Sequence, residues 1–244
     1  MEEKEQERRR QIMRKRVIQR RRRVRRLRLS IAGLFIFAIL FGGCILLVKN
    51  SPKTKEVFAG GMLPFWEKSV DISAIVMPLW VEERIIEENP YSRPGTPLDE
   101  INGIVIHYVG NANTTAEGNN SYFAGLADQS GTDTISVSSH FVIGMDGTVI
   151  QNVPITEIAY CSNERNEDTI SIETCHPDDT GEFTAETYES LVKLTSWLVK
   201  ELNLEPDDVI RHYDVTGKAC PKYFVDNEDA WLKFKEDVAA ALPE

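Results

Sequence analysis

The residues best suited to chemistry lie in an eleven-residue stretch near the C-terminal end, RHYDVTGKACP. It contains His212 and Cys220, whose imidazole and thiol groups are both good ligands for zinc. Lys218 precedes the cysteine by two residues, so its positive charge can serve a reaction at the same place. Gly217 and Pro221 favour turns, which predicts that the ligands lie on a loop and not on a regular helix. Two ligands do not complete a zinc site, so a third must come from elsewhere in the chain.

The strongest candidate for the third ligand is His107. It lies near the carboxyl end of the run GIVIHYV at 103–109, which is apolar at both parities and predicts a strand buried on both faces. The carboxyl ends of such strands are where α/β sheets place their sites. Two histidines and one cysteine leave a fourth position open, as in catalytic zinc sites. The alternative is that His107 is an ordinary core residue and that the three polar residues are unrelated.

Glu173 offers a carboxylate at the end of a second predicted strand, 169–175. In this strand Ile170 and Ile172 share one face, and Glu173 lies on the other. A solvent-exposed glutamate is the simpler interpretation. Its position at the end of a strand in the central sheet favours a functional role.

The remaining elements complete an α/β pattern. The turn Asp146-Gly147 between two apolar runs predicts a hairpin over 138–153. Apolar residues at helical spacing predict a long helix over 184–203, with Thr184 as its cap. Two further helices are predicted, at 119–129 with Tyr122, Phe123 and Leu126 on one face, and after a capping Asp226 with Trp231, Phe234, Val238 and Leu242 facing inward. Together these elements predict one α/β domain with a single core.

Charge is distributed unevenly along the chain. Residues 1–28 contain 14 Lys and Arg against four Glu, whereas residues 29–244 contain 14 basic and 34 acidic residues. A basic head alone suggests nucleic-acid contact or a targeting signal. The 20 residues at 29–48 carry no charge, however, and are long enough to cross a bilayer core of about 30 Å. The positive-inside rule then predicts a single-pass plasma-membrane protein with a cytoplasmic N-terminus, an extracytoplasmic domain and no nucleic-acid partner.

Two other interpretations of the apolar segment are a cleaved signal peptide and a lipoprotein signal ending at Cys44. The run is longer than a usual signal core and lacks a small-x-small cleavage site, which favours an uncleaved anchor. Residues 49–89 predict an extracytoplasmic stalk that leads into a domain at 90–244. Disulfides are permitted outside the membrane, so Cys161 and Cys175 are a candidate pair that the sequence leaves open.

Five motifs follow one another along the chain: HYVGN at 107–111, SSHFVI at 138–143, DGTVIQ at 146–151, ISIE at 170–173 and RHYDVTGKACP at 211–221. In this order they resemble the zinc-dependent N-acetylmuramoyl-L-alanine amidases. This is the family of the phage lysozyme-type amidases, which is related to the animal peptidoglycan recognition proteins. The resemblance covers residues 90–240, and its last motif is very specific.

The resemblance implies a mixed central β-sheet flanked by helices, as in the peptidoglycan recognition proteins, with one zinc ion in a cleft for peptidoglycan. The family's three zinc ligands fall on His107, His212 and Cys220, the same set that ligand chemistry indicates. Its catalytic glutamate falls on Glu173, and its catalytic lysine falls on Lys218.

The candidate substrate contacts are Tyr108, Asn111, His140 and Cys161. Two departures from the family pattern affect this group. Some relatives have a tyrosine where this chain has Ser139, which removes one hydrogen-bonding partner. Many have a histidine where this chain has Cys161, which alters contacts to substrate or allows a bond to another cysteine.

The predicted function is hydrolysis of the amide between N-acetylmuramic acid and L-alanine by a zinc-activated water. One alternative is a membrane-anchored protein that binds peptidoglycan without cutting it, and another is a membrane scaffold whose acidic domain recruits partners. Retention of the three ligands together with Glu173 and Lys218 favours the enzyme. An outward-facing amidase suits a bacterium of the Gram-positive type, whose wall lies outside the plasma membrane.

Overall fold

A computed structural model describes residues 70–242 of the chain. The predicted cytoplasmic segment at 1–28, the predicted membrane anchor at 29–48 and the first part of the predicted stalk lie outside the described residues. Among the helices of the described part, none is long and apolar enough to cross a membrane.

The described domain is built on one six-stranded sheet. Its strands are β1 Val81–Glu83, β2 Ile104–Ile106, β3 Phe141–Ile143, β4 Val149–Gln151, β5 Ile170–Thr174 and β6 Val209–Arg211. Their order across the sheet is β1-β4-β3-β5-β2-β6. Only the β3–β4 hairpin pairs antiparallel, and the other neighbours run parallel, so the predicted mixed sheet is confirmed.

Five helices accompany the sheet: α1 Ala116–Gly125, α2 Ala185–Glu201, α3 His212–Thr216, α4 Lys222–Asp226 and α5 Glu228–Ala240. Helix α2 begins where the sequence predicts, because the Thr184 hydroxyl accepts a hydrogen bond from the backbone N–H of Thr187 at 3.1 Å. Helix α1 begins three residues before its predicted start, because Thr115 caps it by accepting from the N–H of Gly118.

The two faces of the sheet pack against different helices. On one face, Ile104, Ile106 and Ile172 join α2, α4 and α5 in the larger core, and each fully buried side chain of this kind contributes about 1.5–3 kcal/mol. On the other face, Val142 and Cys175 pack with residues of α1 in a smaller core. Helices on both faces keep the strands buried, which explains why β2 is apolar at both parities.

The last helix differs in detail from its prediction. Trp231, Phe234 and Val238 are buried as expected, and they pack in the larger core. Asp226, however, does not cap this helix. It is the last residue of α4 and forms an ion pair with Lys222 at 2.7 Å, and α5 starts only after Asn227.

Part of the predicted stalk packs with the domain. Residues 70–89 of the predicted stalk belong to the same compact unit as residues 90–242. Strand β1 lies within this segment and pairs with β4 at the edge of the sheet. Three residues are a short strand without strong alternation, and only pairing with β4 identifies it.

Candidate metal centre and cleft

Three neighbouring parallel strands bring the predicted site residues to one edge of the sheet. In the sheet register, Ile106 of β2 lies beside Ile172 of β5 and beside Arg211 of β6. The next residue along each of these strands carries a candidate functional side chain: His107, Glu173 and His212. Parallel strands end at the same edge, so residues that are far apart in sequence become neighbours.

The three predicted metal ligands converge at this edge. Nδ1 of His107 lies 3.1 Å from Nδ1 of His212 and 3.8 Å from Sγ of Cys220. All three side chains are buried, and their donor atoms lie within 4.8 Å of one another. Two imidazole nitrogens and one thiol form a donor set that suits zinc. The arrangement can therefore hold a metal ion.

Both histidines direct Nδ1 towards the point where the three donor atoms converge. Nε2 of His107 lies 3.1 Å from the Ser162 hydroxyl, and Nε2 of His212 lies 2.9 Å from Oδ1 of Asn163. Burial lowers the pKa of both imidazoles, with help from the charge of Lys218, and the pKa of His212 falls to about 4. Neutral rings with their Nε2 atoms occupied can use Nδ1 as a metal ligand.

Cys220 reaches the same point through a short helix and a tight turn. His212 opens the five-residue helix α3, which corrects the expectation that the ligand segment is only a loop. Gly217 then reverses the chain with φ of 79°, a left-handed conformation that glycine adopts without strain. The N–H of Tyr213 donates to the carbonyl of Cys220 at 2.9 Å and closes the turn. Burial, together with the charge of Glu173, raises the pKa of the Cys220 thiol to about 12, and a divalent cation would reverse this preference.

Glu173 lies beside the three-donor group with one oxygen unpaired. Its Oε1 accepts a hydrogen bond from the Cys161 thiol at 3.4 Å, whereas Oε2 is buried and has no hydrogen-bond partner among the described residues. Burial raises the pKa of Glu173 to about 7, and the Cys161 hydrogen bond and the Lys218 charge lower it. A buried carboxylate oxygen without a partner is uncommon and indicates that something else binds there.

Lys218 is exposed at the rim of the site. Its charge acts on several members of the group, because it lowers the pKa of Glu173, of His212 and of Cys220. The structure therefore brings Lys218 near the group, as the resemblance implies, and leaves its ammonium accessible to a ligand.

A cleft of about 390 Å³ opens next to Glu173. Helix α1 and the segment after β2 form most of its wall, with Asn111, Thr114, Asn119, Tyr122, Phe123 and Val137 among the lining residues. Asn111, a predicted substrate contact, thus lies on the wall of this cleft. Tyr122 was expected on the buried face of its helix, but it is half exposed and belongs to the wall of the cleft.

The other two predicted contacts near the site have different surroundings. Tyr108 is partly buried and lies outside the cleft wall, with its ring centroid 5.0 Å from that of His176 and the two rings tilted by 32°. Cys161 donates its thiol hydrogen to Glu173 and does not form a disulfide with Cys175. Cys175 packs in the smaller core, where its sulfur lies 3.5 Å from Nδ2 of Asn119.

His140 is a core residue, which corrects its assignment as a substrate contact. It is 1% exposed, and protein atoms occupy both of its ring nitrogens. The N–H of Ser171 donates to Nδ1 at 3.0 Å, so Nε2 carries the proton and donates to the Glu157 carbonyl at 2.9 Å. A substrate cannot reach this ring without disrupting the sheet.

We expect the His140 ring to remain neutral at pH 5.5. Burial lowers its pKa to about 4, below the value of about 6.5 in an unfolded chain. Its contribution to stability is therefore complete above pH 6.5 and is lost towards pH 4, by about 1.4 kcal/mol per pH unit. ¹⁵N NMR of labelled histidine should show the neutral Nε2–H form at pH 5.5. A charged ring at that pH would contradict the assignment to the core.

Two further residues, Ser162 and Asn163, contact the predicted ligands. They follow Cys161 in a polar loop without periodicity, and nothing local distinguishes them from other loop residues. Only their contacts to His107 and His212, 55 and 49 residues away in sequence, identify them.

Comparison with known sequences supports the family resemblance. The family described as N-acetylmuramoyl-L-alanine amidase matches residues 97–223, slightly more than half of the 244-residue chain. The chain is 29% identical over 175 residues to the N-acetylmuramoyl-L-alanine amidase CwlL of Bacillus licheniformis, covering 66% of this chain and 47% of the relative. It is 28% identical over 178 residues to BlyA of Bacillus subtilis (strain 168), covering 64% and 46%. The chain spans about half the length of these curated relatives.

A solved structure agrees in fold. A mutant endolysin from Bacillus subtilis superposes with a TM-score of 0.54 at 24% identity, covering 67% of this chain and 98% of that chain. The match covers nearly the whole endolysin chain, so the two share one complete domain fold. The family match, which includes all three predicted ligands and Glu173, confirms the resemblance. The chain belongs to the N-acetylmuramoyl-L-alanine amidase family.

Proposed function

We propose that this protein hydrolyses the amide bond between the lactyl group of N-acetylmuramic acid and L-alanine in peptidoglycan. The observation that carries the proposal is the three-donor group of His107, His212 and Cys220 beside the unpaired carboxylate oxygen of Glu173. A protein that only binds the wall needs neither feature. The names of its relatives, which are N-acetylmuramoyl-L-alanine amidases, support the same reaction.

The donor set fits one zinc ion. Three buried donors, two nitrogens and one sulfur, leave a fourth position for water, as in catalytic zinc sites. A zinc ion bound there supplies Lewis-acid activation of that water and of the substrate carbonyl.

Glu173 is the proposed general base. Its Oε2 has no hydrogen-bond partner within residues 70–242, so it can take a proton from the attacking water and then pass it to the leaving nitrogen of L-alanine. The carbon–nitrogen bond breaks as the nitrogen receives this proton, and the products are a carboxylate on the lactyl group and a free amine on the peptide. The burial that raises the pKa of Glu173 to about 7 makes it a stronger base than an exposed glutamate.

Lys218 is the proposed electrostatic partner of the developing oxyanion. It is exposed at the rim, and its charge already acts on Glu173 and His212. A donor of this kind typically contributes about 10²–10³ in rate. The adjacent cleft, with Asn111 and Tyr122 on its wall, is the proposed binding site for the muramyl peptide.

The proposed location is the outer side of the plasma membrane. The uncharged segment at 29–48 supports a single membrane anchor, and the basic residues before it support a cytoplasmic N-terminus. Such an anchor confines hydrolysis to wall that lies close to the membrane.

The full-length protein should release free stem peptides from purified peptidoglycan. We expect mass spectrometry to detect peptides with a new N-terminal L-alanine and glycan strands with intact lactyl groups. A chelator should stop the release, and added zinc should restore it. Binding to the wall without new amines would instead support the non-catalytic alternative.

A further inference from the structure

We propose that Asn163 is a positioning residue of the metal centre, which holds the His212 ring in the tautomer that can bind a metal through Nδ1. The inference rests on the proposed zinc centre. It adds a residue that neither the family motifs nor the ligand spacing identify.

Each nitrogen of the His212 ring has its own neighbour. Nδ1 faces the shared point, 3.1 Å from Nδ1 of His107, and Nε2 faces Oδ1 of Asn163 at 2.9 Å. An amide oxygen only accepts hydrogen bonds, so with the Asn163 amide in this orientation Nε2 carries the proton and Nδ1 keeps its lone pair. With a donor in place of this oxygen, the proton would move to Nδ1 and block metal binding.

Several contacts hold the loop that contains Asn163. Asn163 has φ of 53°, in the left-handed region that asparagine tolerates better than most residues. Oδ1 of Asn166 accepts hydrogen bonds from the backbone N–H groups of Cys161 at 3.0 Å and Ser162 at 2.6 Å. The ion pair between Arg165 and Asp168, at 2.6 Å, closes the same loop. These contacts hold the backbone that carries Asn163, and the amide itself contacts His212.

The other histidine ligand has a parallel contact. Nε2 of His107 lies 3.1 Å from the hydroxyl of Ser162, the residue before Asn163. Consecutive loop residues thus occupy the outer nitrogens of both rings. A hydroxyl can donate or accept, so Ser162 does not select a tautomer, whereas the Asn163 oxygen does.

The contact between Asn163 and His212 predicts how substitutions of Asn163 change zinc affinity. Partners on the outer nitrogen of a metal-bound histidine fix its tautomer and orientation, and their loss typically costs about 10–100-fold in metal affinity. A carboxylate at the same position accepts the same hydrogen bond and makes the ring more basic. Asn163→Asp should therefore keep zinc affinity at or above the wild-type value, whereas Asn163→Gly should lower it about 10–100-fold.

Glycine is chosen because it tolerates positive φ and so removes the amide without straining the backbone. The matched control is Asn203→Gly, at a residue that also has positive φ, 52°, but follows α2 away from the site. Zinc affinity of the full-length protein is measured by competition with a chelator, and circular dichroism checks the fold of each variant. The control should bind zinc as the wild type does.

A second readout uses metal-free protein. The chain has four histidines, so ¹⁵N labelling of histidine resolves the His212 ring, which should be the Nε2–H tautomer in the wild type and a mixture in Asn163→Gly. Wild-type zinc affinity in Asn163→Gly, or an Nδ1–H ring in the wild-type protein, would overturn the inference. Failure of the wild-type protein to bind zinc would instead contradict the proposed function. If Asn163→Gly does not fold, the wild-type tautomer and the affinity of Asn163→Asp still decide.

Discussion

Replacing Glu173 by glutamine should lower amide hydrolysis by about 10²–10⁴-fold, the range that a general acid–base residue contributes. Glutamine keeps the size of the side chain but cannot accept a proton from water. Glu173 also lies with His107 and Cys161 in a second group whose donor atoms are within 4.8 Å of one another. Zinc should nevertheless remain bound, because the glutamine variant keeps His107, His212 and Cys220, the set with two imidazoles and a thiol that suits zinc. Release of free stem peptides from purified wall gives the rate, and the metal content of the same sample gives the occupancy.

The control for this variant is Glu189→Gln. Glu189 is an exposed residue of α2, so the substitution makes the same change of charge on the opposite side of the sheet from the site. It should leave the rate unchanged. A Glu173→Gln protein that binds zinc and keeps the wild-type rate would remove Glu173 from the mechanism.

Replacing Cys220 by serine should remove both zinc and activity. The thiol is the only sulfur donor of the three converging ligands, and a hydroxyl is not a usual zinc ligand. Zinc affinity should therefore fall by more than the roughly 10–100-fold expected for a residue that contacts a ligand from outside. Cys220→Asp should retain more zinc than Cys220→Ser, because a carboxylate is a zinc ligand. Chelator competition measures both affinities.

Cys175→Ala is the matched cysteine control. Cys175 is also free and buried, but it packs in the smaller core beside α1. Its loss should reduce stability and leave zinc affinity at the wild-type value. Equal zinc affinity in Cys220→Ser and the wild type would show that the metal, if bound, lies elsewhere.

The chain's departure from its family at Cys161 acquires a physical meaning in the structure. Burial and the charge of Glu173 raise the pKa of the Cys161 thiol, so it stays protonated and donates to Oε1 of Glu173. This hydrogen bond occupies one carboxylate oxygen and leaves the other unpaired. Cys161, where many relatives have a histidine, therefore contacts the proposed base directly. The second departure, Ser139, is buried, and its hydroxyl donates to the carbonyl of Phe141 at 2.9 Å.

The ligand segment is also held by contacts that the motif does not reveal. Arg211 precedes His212, is buried, and makes ion pairs with Asp214 at 3.1 Å and with Glu228 of α5 at 2.7 Å. Its guanidinium also lies 5.1 Å from the ring of Trp231. These contacts tie the start of α3 to the last helix and so limit the movement of the ligand that follows.

The chemistry available to this protein can be deduced from its amino-acid types and their spacing. Some features are properties of single residues or of short windows, and the structure agrees with each of them. They are the ligand types, the apolar pattern of β2, the alternation of β5 and the cap at Thr184. Five motifs in the right order were enough to recognise the family, because a family pattern records residue types and spacing.

Which polar residues serve the site depends on contacts between distant parts of the chain. His107 follows the apolar strand β2, and His140 precedes the apolar strand β3. Nevertheless, His140 is enclosed in the core, whereas the ring of His107 points towards two further ligands. Asn163 lies in a loop without any local signal, and its contact to His212 joins residues 49 positions apart. Such contacts depend on strand register and on the path of loops across the sheet, and these are set by packing of the whole domain and not by any short stretch of sequence.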